Sequence, residues 1–142
     1  MKKIIIFCSI VLVIIATVWY NCINYKSNYN SVVRENLEFK KLYQREIYGT
    51  DLTTIINKVI NNNEKNNVEI RNKKYINNDK NSINIDIKMV DTDSTYSMET
   101  IYNGGFEKFV EYYGNIQFKC IQIDYHKSTG IVKYLQFEQI SQ

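Results

Sequence analysis

The chain has 142 residues, enough for one domain and an anchor but too few for two full domains. Hydrophobic residues make up 44% and charged residues 23%, a balance that excludes a disordered chain, and the lack of proline excludes a stiff proline-rich linker. The formal net charge is +3, but Lys2, Lys3 and Lys26 flank one hydrophobic run; setting those three aside leaves 15 basic residues against 15 acidic ones. The remainder is formally neutral and lacks the field that nucleic-acid binding draws on, so no nucleic-acid partner is expected.

After Met1-Lys2-Lys3, the segment Ile4 to Tyr20 holds no charge, glycine or proline. Only Ser9 and Thr17 are polar, and both hydroxyls can bond back to helical carbonyls. Seventeen residues at about 1.5 Å each reach about 25 Å, the short end of what a bilayer core requires. Trp19 and Tyr20 close the run where amphipathic rings favour the lipid–water interface, and Asn21, Asn24 and Lys26 return the chain to water. A cleaved signal peptide would need small residues before its cleavage site, whereas Ala16-Thr17-Val18 precedes two bulky rings. Neither Cys8 nor Cys22 follows the small residue that a lipoprotein signal carries. The expectation is an uncleaved anchor over residues 1–22, with the lipid bilayer as partner through Ile4 to Tyr20. The excess of Lys2, Lys3 and the N-terminal amine over Lys26 and Arg34 places the N-terminus in the cytoplasm and the C-terminal part outside the plasma membrane.

From Ile23 to Tyr48 the pattern is helical. Tyr25, Tyr29, Val32, Val33, Leu37, Phe39, Leu42, Tyr43, Ile47 and Tyr48 recur mostly at three- and four-residue steps. Residues 23–48 are therefore expected to form an amphipathic juxtamembrane helix whose stripe, Tyr25 to Tyr48, packs on its own domain, pairs with a second copy or meets an envelope protein. Gly49 suits that helix's C-terminus, and Thr50 or Asp51 caps a second helix from Leu52 to about Asn62 with Leu52, Ile55, Ile56, Val59 and Ile60 on one face. The polar stretch from Asn61 to Asn67 ends it.

The period then changes to two. Lys73 to Ile76 is a short strand, Asn77-Asn78-Asp79-Lys80-Asn81 a turn, and Ile83, Ile85, Ile87 and Met89 alternate with polar residues as a strand with one buried face. Asp91 to Ser94 turns, and Thr95 to Thr100 reads as another strand. Asn103-Gly104-Gly105 leads into a short helix, Phe106 to Tyr113, stopped by Gly114. Ile116 to Tyr125 is a strand whose apolar phase shifts between Cys120 and Ile121, which predicts a bulge. Ile131 to Gln139 is the final strand. The sum is an α+β fold over residues 49–142: an antiparallel sheet of about four to five strands with helices on one face.

Candidate chemistry is sparse. Asp124, His126 and Ser128 are the types of a hydrolytic triad, yet Ser128 lies in a turn with no strand-to-helix elbow, so polar hairpin residues are expected. Asp91, Asp93 and Thr95 open like a calcium loop, but Tyr96 stands where its glycine belongs and Tyr102 where its closing glutamate belongs. Asn103-Gly104-Gly105 lacks the spacing and lysine of phosphate loops. Cys8, Cys22 and Cys120 are an odd, widely spaced set that makes neither a disulfide framework nor a zinc site, and a Cys22–Cys120 bridge would require Cys120 to lie near the membrane surface. The twelve tyrosines, Tyr112-Tyr113 and Tyr125 with Tyr134 among them, can supply a contact surface at low entropy cost. A membrane helix running into an amphipathic helix and then a sheet is similar in layout to pilins and pseudopilins, which implies an assembly subunit; the segment Ile4 to Tyr20 contains neither the glycine nor the glutamate of their processing motif. The expectation is a membrane-anchored, non-catalytic interaction or structural module of a bacterial envelope, with no catalytic, cofactor or metal residues; the alternatives are a pilin-like subunit or an extracytoplasmic enzyme or ligand-binding protein.

Overall fold

An apolar run with no breaker, followed by short segments of alternating period, yields one long helix and then a layered α+β unit. The computed structural model describes residues 2–140, apart from the side chains of Asn28, Ser31 and Val32. Contacts divide the chain between Glu35 and Asn36.

Helix α1 spans Lys2–Lys40. Its stretch Lys2–Ser27 has a mean hydropathy of 2.4 with none of the apolar window buried, and it is long and apolar enough to cross a membrane. The hydroxyls of Ser9 and Thr17 donate to the carbonyls of Ile6 and Ile14, each at 2.8 Å, so the polar groups turn inward onto the helix backbone. Farther along, Tyr25, Tyr29 and Val33 of the expected stripe are exposed, and Val32 lies outside the described side chains.

The second unit begins at Asn36, whose side-chain amide donates to the carbonyl of Gly130 at 3.1 Å and accepts from the N–H of Val132 at 2.9 Å. The helix expected to reach Tyr48 ends at Lys40. Gln44 adopts φ 60°, its N–H donates to the carbonyl of Cys120 at 2.8 Å, and Cys120 donates back to Arg45 at 3.2 Å. Strand pairing thus captures the backbone, and β1 (Glu46–Tyr48) buries Ile47 between two exposed neighbours. Ile47 and Tyr48 fit either period, and the sheet decided which one held.

Helix α2 spans Gly49–Lys65. Gly49 opens this helix rather than closing the previous one. A Cβ there would sit 2.0 Å from the carbonyl oxygen of Tyr113, so glycine is required by close approach. No side chain caps α2; the carbonyls of Ile116 and Gly114 receive the N–H groups of Gly49 and Thr50 at 2.9 and 3.3 Å. The helix also runs past Asn62. Asn63 is fully buried, donates to the carbonyl of Ile83 at 2.7 Å and accepts from its N–H at 2.9 Å, so one side-chain amide serves both backbone groups of that residue.

A small hairpin follows, β2 (Ile70–Arg71) and β3 (Lys74–Tyr75), turned by Asn72 and Lys73 with φ of 52° and 62°. Strand β4 (Asn84–Met89) pairs with β5 (Ser94–Ser97). The strand expected to reach Thr100 stops at Ser97, where α3 (Met98–Gly104) begins because Met98 and Ile101 turn into the core. Helix α4 (Phe106–Tyr113), β6 (Gln117–Tyr125) and β7 (Val132–Gln139) complete the chain close to their expected bounds. The bulge is present: pairing of β6 with β7 shifts between Cys120 and Gln122, and burial switches face there.

The five-stranded sheet has the order β1-β6-β7-β4-β5. Three of its pairings are antiparallel as expected, but β4 and β7 run parallel, so the sheet is mixed. After β5, helices α3 and α4 carry the chain across one face, and the β6–β7 hairpin returns β7 alongside β4. Ile85, Ile87, Met89, Phe118, Leu135 and Phe137 meet Leu52, Ile56, Ile60, Met98 and Phe109 in one core. The opposite face is polar, with Lys88 paired to Glu138 at 2.8 Å and the Tyr134 hydroxyl donating to Asp86 at 3.0 Å.

Candidate functional site

The residues with chemical potential are dispersed, and each has a partner of its own. At the β6–β7 turn, His126 is buried and its Nε2 donates to the carbonyl of Ser82 at 2.7 Å; a carbonyl only accepts, so Nε2 carries the proton. Ser128 donates its hydroxyl to the carbonyl of Asp79, and Thr129 donates to that of Lys80 at 2.7 Å. Asp124 accepts from the side-chain amide of Gln122 at 2.9 Å. The bonds of His126, Ser128 and Thr129 fasten the β6–β7 turn onto the loop before β4. That loop is itself wound around the Asn78 side-chain oxygen, which accepts from the N–H groups of Lys80, Asn81 and Ser82 at 2.9, 2.8 and 3.1 Å. Each of the three triad-type residues is thus engaged with a partner outside the set.

The turn after β4 is organised in the same way. Gln139 accepts the N–H of Val90 at 3.1 Å and donates to Asp91, while Thr92 and Ser94 share a hydroxyl bond of 2.6 Å. Asp93 takes φ 46°. Among the described residues no group of three or more His, Cys, Asp or Glu side chains is arranged to hold a metal ion.

The three cysteines are free, with Cys8 and Cys22 exposed and Cys120 buried in the sheet. Burial pushes the Cys120 thiol up to about 11, which keeps it protonated and unreactive at neutral pH. Tyr75 is pushed up to about 12 by burial and by the Glu64 carboxylate beside it. Tyr134 is raised by burial and by Asp86, with which it bonds.

Two surface recesses among the described residues are each lined by two or more tyrosines. One lies along β6, where the Lys40 ammonium stands 5.4 Å from the Tyr125 ring centre and Tyr43, Ile121 and Ile123 line a recess. The other is an aromatic groove of about 330 Å³ made by β5, α3 and α4. Here Gly105, at φ 91°, breaks the chain between α3 and α4, and the Tyr102 and Phe106 rings meet edge to face at 5.7 Å across the break. Phe109 reaches inward to Phe118 at 6.1 Å and anchors α4 on β6. Tyr96, Gly104, Lys108, Tyr112 and Tyr113 are left around the opening. The sequence singled out Asn103-Gly104-Gly105 and Tyr112-Tyr113 separately, and the fold brings the two glycines and the tyrosine pair to one groove. Tyr96 and Ile101 joined them without any local signal, because their contribution depends on how β5 and α3 meet. No family model matches the chain, and no curated protein or solved structure matches it.

Proposed function

We propose that the chain is a membrane-anchored, non-catalytic interaction module, held in the plasma membrane by Ile4 to Tyr20 with its N-terminus cytoplasmic and its α+β unit outside. The observation that carries this reading is the apolar stretch of α1, where none of the apolar window is buried within the chain's own fold. Each CH₂ group kept from water contributes roughly 0.8 kcal/mol, so a run of this length is stable in lipid and costly in solution. The non-catalytic part is supported by the engagement of His126, Ser128 and Asp124 with three separate partners.

Membrane fractionation with alkaline carbonate tests the anchor, and an impermeant maleimide applied from outside tests the orientation at the exposed Cys22. The chain should stay in the membrane with an intact N-terminus by mass spectrometry, and Cys22 should be labelled in whole cells. Recovery of a soluble form beginning after Tyr20 would replace this reading with a secreted protein.

A further inference from the structure

Four of the five glycines have a structural reason to be glycine, and the fifth does not. A Cβ at Gly49 or Gly114 would collide with a carbonyl oxygen at 2.0 or 2.5 Å, and Gly105 and Gly130 hold φ of 91° and 68°. Gly104 holds no such angle, and a Cβ added there would meet nothing within 4 Å. It ends α3 as a residue that favours helix less than nearly any other, and it lines the aromatic groove as bare backbone. Around it stand Tyr96, Ile101, Phe109 and Tyr112, the last 65% exposed, with Lys108 at the rim. Lys108 forms no ion pair among the described residues.

The groove is open, so a free small molecule would leave much of its surface in water, whereas a side chain delivered by a larger partner loses nothing by that. The neighbouring edge specifies what kind of partner. Strand β5 pairs with β4 on one side only, and its sequence Ser94-Thr95-Tyr96-Ser97 contains no charge, proline or bulge to discourage a further strand. Alternate residues of such an edge turn N–H and C=O outward, a pattern complementary to extended polypeptide. Tyr96 belongs to both the edge and the groove.

We propose that β5 and the groove form a docking site for an extended peptide segment of another protein. The segment adds to β5 as a further strand, lays an aromatic or long aliphatic side chain over Gly104, and sets an acidic neighbour against Lys108. This deepens the reading of the chain as an interaction module by stating the partner's chemistry, and it does not depend on which side of the membrane the unit occupies.

The test uses the full chain in detergent micelles and a displayed library of random nine-residue peptides, followed by synthetic copies of the enriched sequences. Enriched peptides should carry an aromatic or long aliphatic residue next to an acidic one. Gly104→Leu should weaken their binding at least tenfold while thermal unfolding of the variant matches that of the parent. Methylating one alternating set of peptide amide nitrogens should abolish binding, and methylating the other set should leave it intact. The proposal is overturned if nothing is enriched, if Gly104→Leu binds undiminished, or if both methylated sets bind alike. A concentration-dependent dimer that Gly104→Leu dissociates would also overturn it, in favour of a second copy of this chain. Because anchoring is read by fractionation, its failure and the failure of docking are separate results.

Discussion

The membrane-length stretch of α1 and helix α2 are both regular helices, and they solve opposite solvent problems. In Lys2–Ser27 the apolar side chains project in every direction and none of the apolar window is buried. In α2, Leu52, Ile56, Val59 and Ile60 are at most 1% exposed, while Lys58, Glu64 and Lys65 lie on other faces or at the end. The difference is the distribution of apolar residues around the axis more than their presence. It teaches that α2 owes its stability to the sheet beneath it, whereas the α1 stretch depends on the medium around it.

Substitutions in one region should therefore leave the other's property unchanged. The largest expected effect is Asn63→Leu, which strips both partners from the buried backbone of Ile83 and should cost on the order of 4 kcal/mol in a urea titration. Membrane retention should not change, and a loss of retention would show that the two regions are coupled. Ile56→Ala should cost about 3.5 kcal/mol by leaving a cavity between α2 and the sheet, again with normal retention. The reverse case is Ile10→Asp, which places a carboxylate near the middle of the apolar stretch and opposes insertion by about 3 kcal/mol. Fractionation should show release while the unfolding midpoint of the α+β unit stays fixed.

The smallest effect is a dependence on alkaline pH confined to the second unit. The unfolded Cys120 loses its proton at an ordinary 9.0 and the folded one keeps it to about 11, and Tyr75 behaves alike between 10.0 and about 12. The folded state thus binds more protons in this window, so stability is complete below pH 9 and declines as pH rises towards 12. Cys120→Val should remove the earlier part of that decline, as measured by urea midpoints from pH 8 to 12.

What could be read from the residues was what depends on neighbours close in sequence. The segment Ile4 to Tyr20, the alternation of Ile83 to Met89, the helix Phe106 to Tyr113 and the phase slip after Cys120 all announce themselves within a few residues. The misreadings have long-range causes. Ile47 entered a strand because Phe118 lay alongside it, and Asn63 prolonged a helix because Ile83 offered two bonds. The parallel pairing of β4 with β7 is set by the path of the intervening helices, which no local period encodes. The groove was legible only in pieces for the same reason: Gly104 and Tyr112 were visible as motifs, and their meeting with Tyr96 was not.

The place of β7 in the sheet has a consequence for biogenesis. Among the described strands of the five-stranded sheet it is synthesised last, yet it occupies the middle position between β6 and β4. Throughout translation of the preceding segments, β4 and β6 lack the neighbour that joins them. Assembly of the sheet thus waits for its last strand, and a premature stop codon within Val132–Gln139 would leave two half-sheets rather than a shortened one.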